Sequence, residues 1–287
     1  MLLFMKRIVP VTAALFLAIA CGSTSETINV NSPTIEIKPE FLAQNLQSAS
    51  STTNEAPVCP ADMVEINGNY CSQVAQECLQ WVDSDNNPVA PPGGDSGRCR
   101  EWKNPVKCIG NISKKHYCID KFEYPNKEGQ IPQDWMTWYD VKNACESEGK
   151  KMCTRSEWTL AAEGPNMHPY PYGDGFHRDK TICNFDNHVT GVNVMKVTDH
   201  NSEGAKILRG LLKPSGSQER CVSDFDVYDL SGNIDEFVIN ESGNPYVSGL
   251  MGGHVFGVRN ASRPMTEAHG PTFAWYESGG RCCQDIP

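Results

Sequence analysis

Carboxylates crowd one short stretch of this chain, Asp224 to Phe237, which reads DFDVYDLSGNIDEF. Asp229, Asp235 and Glu236 flank a tight Ser231-Gly232-Asn233 turn. Carboxylates alternating with backbone carbonyls around such a turn are the donors that a hard cation such as calcium uses. Acidic turns are ordinarily just solvated, so the motif takes its meaning from its neighbours. Two histidines, His254 and His269, flank a later loop that holds Asn260, Ser262 and Arg263, with acidic residues near. His116, His168, His177, His188 and His200 show no ligand-like spacing, and surface or hydrogen-bonding roles suit them better.

Sulfur is the other chemically loaded element, with 13 cysteines in 287 residues. Cys21 stands apart. It follows a basic pair, Lys6 and Arg7, and a largely apolar run from Ile8 to Ala20. That run is too short to span a bilayer and holds Pro10 and Thr12, so residues 1–20 read as a signal peptide. Ala18, Ala20, Cys21 and Gly22 resemble a bacterial lipobox, which predicts lipidation of Cys21. Gly22 rather than Asp follows the cysteine, which in such signals favours the outer membrane. The expectation is a lipid-anchored protein of the bacterial cell envelope. The other 12 cysteines are even in number, and in an exported chain they predict up to six disulfides. The net charge of -10 excludes nucleic acid as a partner.

The elements that must position these groups are short. Residues 21–57 are rich in Ser, Thr, Asn and Glu and read as a lipidated N-terminus and flexible tether, with a weak strand signal at Ile28–Ile37. Fully stretched, the tether would reach on the order of 100 Å. Residues 58–287 are long enough for one domain. Its first part, Cys59 to Cys118, holds six cysteines and a Pro/Gly/Asp loop at Asp83–Gly97, and reads as a disulfide-stapled insertion. Thr137 with Asp140 starts one helix that Gly149 stops; Thr154 with Glu157 starts a second that Gly164 stops. Trp138, Val141 and Cys145 share the inner face of the first. Strand fragments are predicted at Met63–Asn67, Tyr117–Glu123 and Val227–Leu230. Asn111, Asn240 and Asn260 sit in N-x-S tripeptides that carry no weight in a bacterial lipoprotein.

Seven blocks stand in a fixed order. They are Met63-Val64-Glu65-Ile66, Phe122 to Asn126, Gly149 to Trp158, Tyr170-Pro171-Tyr172-Gly173, Val227 to Phe237, Met251-Gly252-Gly253 and Gly280-Arg281-Cys282. Together they resemble the formylglycine-generating enzyme (sulfatase-modifying factor) family, whose pattern includes G-K-R-L-P-T-E-x-E-W, Y-P-W-G, G-L-Y-D-M-x-G-N-V-W-E-W, R-G-G-S-W and a closing G-F-R. The resemblance implies one α+β domain of C-type-lectin-like type with little regular secondary structure. It implies a structural calcium held by the carboxylates of Asp229 and Glu236 and the carbonyls of Gly232 and Ile234. Asn184 and Phe185 fall where a second such site begins. It pairs Cys145 with Cys282, which leaves Cys153 and Cys283 to bond alongside. Cys183 with Cys221 is a further candidate bridge, and a redox role for Cys282-Cys283 is the alternative.

The resemblance breaks at the sulfur. Enzymes of this family hold copper(I) between two cysteine thiolates placed between the G-G-S block and the closing G-F-R. Between Gly253 and Gly280 this chain has no cysteine; the second ligand's element reads Arg259-Asn260-Ala261-Ser262-Arg263. Neither amide nor hydroxyl replaces a thiolate for copper(I), so copper is not expected. Related sulfoxide synthases use histidine-bound iron, with ligands from a helical domain that is not seen here. The reading is therefore a non-catalytic binding or interaction module for an envelope protein or glycan. Contact would come through loops such as Asp83–Gly97 and Glu203–Ser217, and a candidate groove would be lined by His254, Asn260, Ser262 and Arg263. The alternative is a formylglycine-generating or related metal-dependent oxidase with a relocated site.

Overall fold

A computed structural model describes residues 57–82 and 98–286 of the chain. The signal segment, Cys21, the tether with Ile28–Ile37 and the loop at Asp83–Gly97 lie outside the described residues.

Two capping boxes set the two principal helices. In α1 (Trp138–Ser147), Thr137 accepts the Asp140 N–H while Asp140 accepts the Thr137 N–H at 2.8 Å. Trp138, Val141 and Cys145 turn inward from one face. In α2 (Arg155–Glu163), Thr154 and Glu157 form the same reciprocal pair. Every side chain from Ser156 to Glu163 is buried, with Trp158 at the centre of the main core. A third helix, α3 (Glu203–Arg209), starts at a Ser202 cap and buries Ala205 and Leu208. Glu203–Ser217 is thus not the open loop expected from sequence. Its apolar positions at 205, 208 and 212 face a core at helical spacing.

One sheet runs in the order β1 (Met63–Cys71), β6 (Ile112–Asp120), β12 (Cys282–Asp285), β7 (Lys151–Met152), all antiparallel. A second runs β10 (Met265–Thr266), β9 (Ser248–Met251), β8 (Asp235–Ile239), β11 (Ser278–Gly280), with β8 and β11 parallel. Two ribbons complete the strands: β2 (Val74–Ala75) with β5 (Lys107–Cys108), and β3 (Cys78–Trp81) with β4 (Cys99–Trp102). The first predicted strand extends to Cys71, and the second shifts toward the N-terminus, ending at Asp120. Val227–Leu230 is not a strand. Asp229 is left-handed at φ 60°, and only Tyr228 makes a bridge, to Val222.

Six disulfides bind this frame: Cys59–Cys118, Cys71–Cys108, Cys78–Cys99, Cys145–Cys282, Cys153–Cys283 and Cys183–Cys221. The first three lie wholly within the cysteine-rich part. That part is not a separate insertion, because β1 and β6 at its two ends form half of the first sheet; only the segment between them is inserted.

Cys145–Cys282 and Cys153–Cys283 close nearly the same long loop, with separations of 137 and 130 residues. Either bridge alone supplies about 5 kcal/mol by chain entropy, and the second closes a residual ring of about ten residues worth ~3 kcal/mol. Denaturant titration should therefore give a cost of ~3 kcal/mol for C145S/C282S or for C153S/C283S, and ~8 kcal/mol for all four substitutions. Strictly additive costs would mean that the two bridges do not share one loop.

Candidate functional site

The acidic turn folds inward. Asp229, Gly232 and Asn233 all take left-handed backbone conformations, at φ 60°, 82° and 61°. A Cβ on Gly232 would lie 2.5 Å from the Asn184 carbonyl, so the turn needs glycine there. The winding buries every polar side chain from Asp229 to Glu236. Asp229 accepts the Gly216 N–H at 2.7 Å. Asn233 accepts from the Asn184 amide at 2.8 Å and from the Lys213 N–H, and donates to Glu123 at 2.9 Å. Ser215 also donates to Glu123. Both oxygens of Glu236 accept from the buried Arg281 guanidinium at 2.6 Å, and Trp158 Nε1 donates to one of them.

Three buried carboxylates, Glu123, Asp229 and Glu236, thus face one arginine. Burial, reinforced by the two neighbouring acids, pushes Glu123 well above the usual carboxylate range. Burial likewise lifts Asp229 to about 6. The fit to calcium is poor. A cation bound by Asp229 and Glu236 would have to compete with the Gly216 N–H for one and with a bidentate guanidinium for the other. Phe185 and Ile234 pack in the core beside this network.

The residues do not fit copper(I) either. All 12 cysteines among the described residues are in disulfides, so none offers an ionisable thiol. Asn260 and Ser262, which occupy the sulfur-ligand element, are fully buried. Asn260 donates to the Gly252 carbonyl and accepts from Arg178. Ser262 donates to the His168 carbonyl. Arg263 forks onto Glu163 at 2.7 Å through two nitrogens and reaches the Cys71 carbonyl. With His254 only 5% exposed, His254, Asn260 and Ser262 are interior braces; Arg263 is partly exposed and lines a separate cleft of about 230 Å³ with Tyr70, Arg155 and Glu241.

A different cluster joins His254 to two acids, Asp235 and Glu277, that sequence reasoning had not grouped with it. The parallel pairing of β8 with β11 sets Asp235 opposite Ser278, and the Asp235 N–H donates to the Glu277 carbonyl at 2.7 Å. Gly252 and Gly253, at φ 87° and 68°, turn the chain out of β9 and deliver His254 to the same point. A Cβ on Gly253 would sit 1.9 Å from the Val258 carbonyl, so this delivery requires glycine. One potential ligand atom from each of Asp235, His254 and Glu277 lies within 4.8 Å of the others; among the described residues this is the one such convergence of three acids, histidines or cysteines. His254 Nε2 is 3.2 Å from Glu277, and Arg259 reaches Asp235 Oδ2 at 3.3 Å. Phe256 and Tyr276 cover the imidazole edge-on. Burial pushes His254 down to about 4 and Asp235 up to about 6, and raises Glu277. The sequence did carry a signal. Asp235 and His254 replace the first Trp of W-E-W and the Ser of R-G-G-S-W, two motif positions that change together and meet in space.

Phe256 also walls a cleft of about 580 Å³ whose lining includes Arg98, Arg100, Arg178 and Lys180 with Asp179 and Asp186. Among the described lining residues, four cations less two anions leave +2, in a chain of net charge -10.

The family model described as the sulfatase-modifying factor enzyme 1-like domain matches residues 48–286. No curated protein is detectably similar. Among solved structures, CarF is similar at TM-score 0.47 and 14% identity over 79% of this chain and 99% of that one. PvdO from Pseudomonas aeruginosa is similar at TM-score 0.45 and 16% identity over 80% and 95%. Treponema denticola variable protein 1 follows at 0.43 and 12% over 78% and 95%.

Two measurements probe these charges. Because Arg281 closes Glu236, adding calcium or a calcium chelator should leave the thermal midpoint unchanged; a rise of several degrees with calcium would show that the ion displaces the guanidinium. Burial lifts Glu163 from 4.5 to about 7 despite its Arg263 fork. The folded state then holds a proton that the unfolded chain releases earlier. Its contribution is complete below 4.5 and lost as pH rises through about 7. The midpoint should fall between pH 5 and 7.5, and Glu163→Gln should flatten that slope. A midpoint that climbs over the same interval would mean that the fork outweighs burial.

Proposed function

Because this chain belongs to the sulfatase-modifying factor enzyme 1-like family, we propose that it uses the family's fold as a binding module and does not make formylglycine. The observation that carries this reading is the oxidised state of its sulfur. Oxidation of a substrate cysteine by the family route needs two thiolates to hold copper(I). Here every described cysteine is already bonded to another, and the ligand element reads Asn260-Ala261-Ser262.

The basic cleft beside Phe256 is the binding surface of this proposal. Its lining is polar and its local charge opposes that of the whole chain, so it suits an acidic glycan of the envelope. Lipidation at Cys21 would hold the domain at the membrane, and the polar segment up to residue 57 would let it reach outward.

Four outcomes test this reading. Disulfide-intact protein given copper and oxygen should leave a cysteine-bearing sulfatase-type peptide unchanged by mass; conversion to formylglycine sinks the proposal. A carboxylated or sulfated polysaccharide should bind, with affinity that falls as salt rises, while its neutral counterpart should not. The double reversal R100E/K180E should abolish that binding, and undiminished binding would remove the cleft from the proposal. Cells fed labelled palmitate should label the full chain but not Cys21→Ser.

A further inference from the structure

We propose that Asp235, His254 and Glu277 form a binding site for one divalent transition metal ion of borderline character, with Zn²⁺ as its best-fitting member. The inference is independent of the glycan cleft and stands or falls without it.

The donor set selects the ion class. One imidazole nitrogen and two carboxylate oxygens are too hard for copper(I), and the nitrogen sets the site apart from the all-oxygen cages of calcium. Three protein ligands with a fourth position left over is the pattern of an open zinc site. Spacing agrees. In a tetrahedron with metal–ligand bonds of about 2.0–2.1 Å, ligand atoms lie roughly 3.3 Å apart. His254 Nε2 and the nearer Glu277 oxygen are 3.2 Å apart. The whole triad falls within 4.8 Å, so Asp235 has to move by at most about 1.5 Å to complete the face.

The second observation is independent of that spacing. Asp235 is wholly buried, and its Oδ1 has no hydrogen-bond partner. A buried carboxylate oxygen without a partner is costly, and a metal ion would satisfy it. Its other oxygen, Oδ2, accepts from Arg259, and such a hydrogen bond holds a ligating carboxylate in orientation. Arg259 Nε is also buried and unpaired, so a tighter Arg259–Asp235 fork with no metal is the competing arrangement. Metal on Nε2 also requires the imidazole proton to sit on Nδ1, which gives up the long 3.4 Å contact from the Phe256 N–H. Phe256 packs edge-on against His254 and also lines the cleft.

The test uses the disulfide-intact protein, stripped with a chelator, dialysed and titrated with Zn²⁺ by calorimetry. One equivalent should bind. Asp235→Asn, His254→Gln and Glu277→Gln should each weaken binding about tenfold or more. His177→Ala, at an exposed histidine beside Asp174, should not. Co²⁺ added to the unaltered protein should give the intense visible bands of a tetrahedral site, a readout that does not depend on any variant folding. Absence of a stoichiometric site, retention of full affinity in all three variants, or only the weak spectrum of octahedral cobalt would each overturn the proposal in favour of the closed Arg259–Asp235 fork.

Discussion

The Arg281–Glu236 ion pair is the constraint on which the two sheets depend. Arg281 lies between β11, an edge strand of one sheet, and β12, an inner strand of the other. It is 1% exposed, and its guanidinium donates to Glu236 on β8, to the Asp120 carbonyl at the end of β6 and to the Tyr228 carbonyl. Trp158 reaches the same carboxylate from α2. One charged group therefore fixes the spacing of both sheets, a helix and the acidic turn. Removing one partner of such a pair leaves a charge stranded in the interior, at a cost of about 3–5 kcal/mol. Burial raises Glu123 and Asp229 above the usual carboxylate range, and the pair does not prevent it, because a single guanidinium cannot balance three buried carboxylates.

Legibility in the sequence followed the range of the interactions. The capping boxes at Thr137 and Thr154 are local, three residues across, and both helices begin where those residues put them. The strand at Asp235–Ile239 was invisible because four of its five residues are buried, so no alternation marks it. Ser202 with its apolar followers at 205 and 208 was readable as a helix start, but the surrounding polar residues masked it as a loop. Left-handed Asp229 defeats the strand reading of Val227–Leu230, since propensity says nothing about a backbone held by long-range bonds. The Asp235–His254–Glu277 cluster is the extreme case. Its members are 19 and 23 residues apart in sequence, and only sheet pairing joins them.

The family resemblance and the chemistry of the site part company for a physical reason. The motif blocks that survive are those with structural duties: caps, tight glycine turns, the buried Glu236 and Arg281. These duties are the same whatever the fold is used for. The sulfur ligands had no such duty, and amide and hydroxyl groups fill their places with hydrogen bonds to Gly252, Arg178 and His168. A scaffold can thus keep its outline while hydrogen-bonding side chains take over interior positions.

Cys282 and Cys283 are neighbours on β12, so their side chains leave opposite faces of the strand, one toward α1 and the other toward the start of α2. A slip of β12 by one residue would put one of the two sulfurs in the other's place and offer it the other's partner. The misregistered strand could then be locked covalently by the same oxidation that secures the correct one. Thiol exchange, which reopens a wrong bridge, therefore favours correct maturation of this domain alongside oxidation.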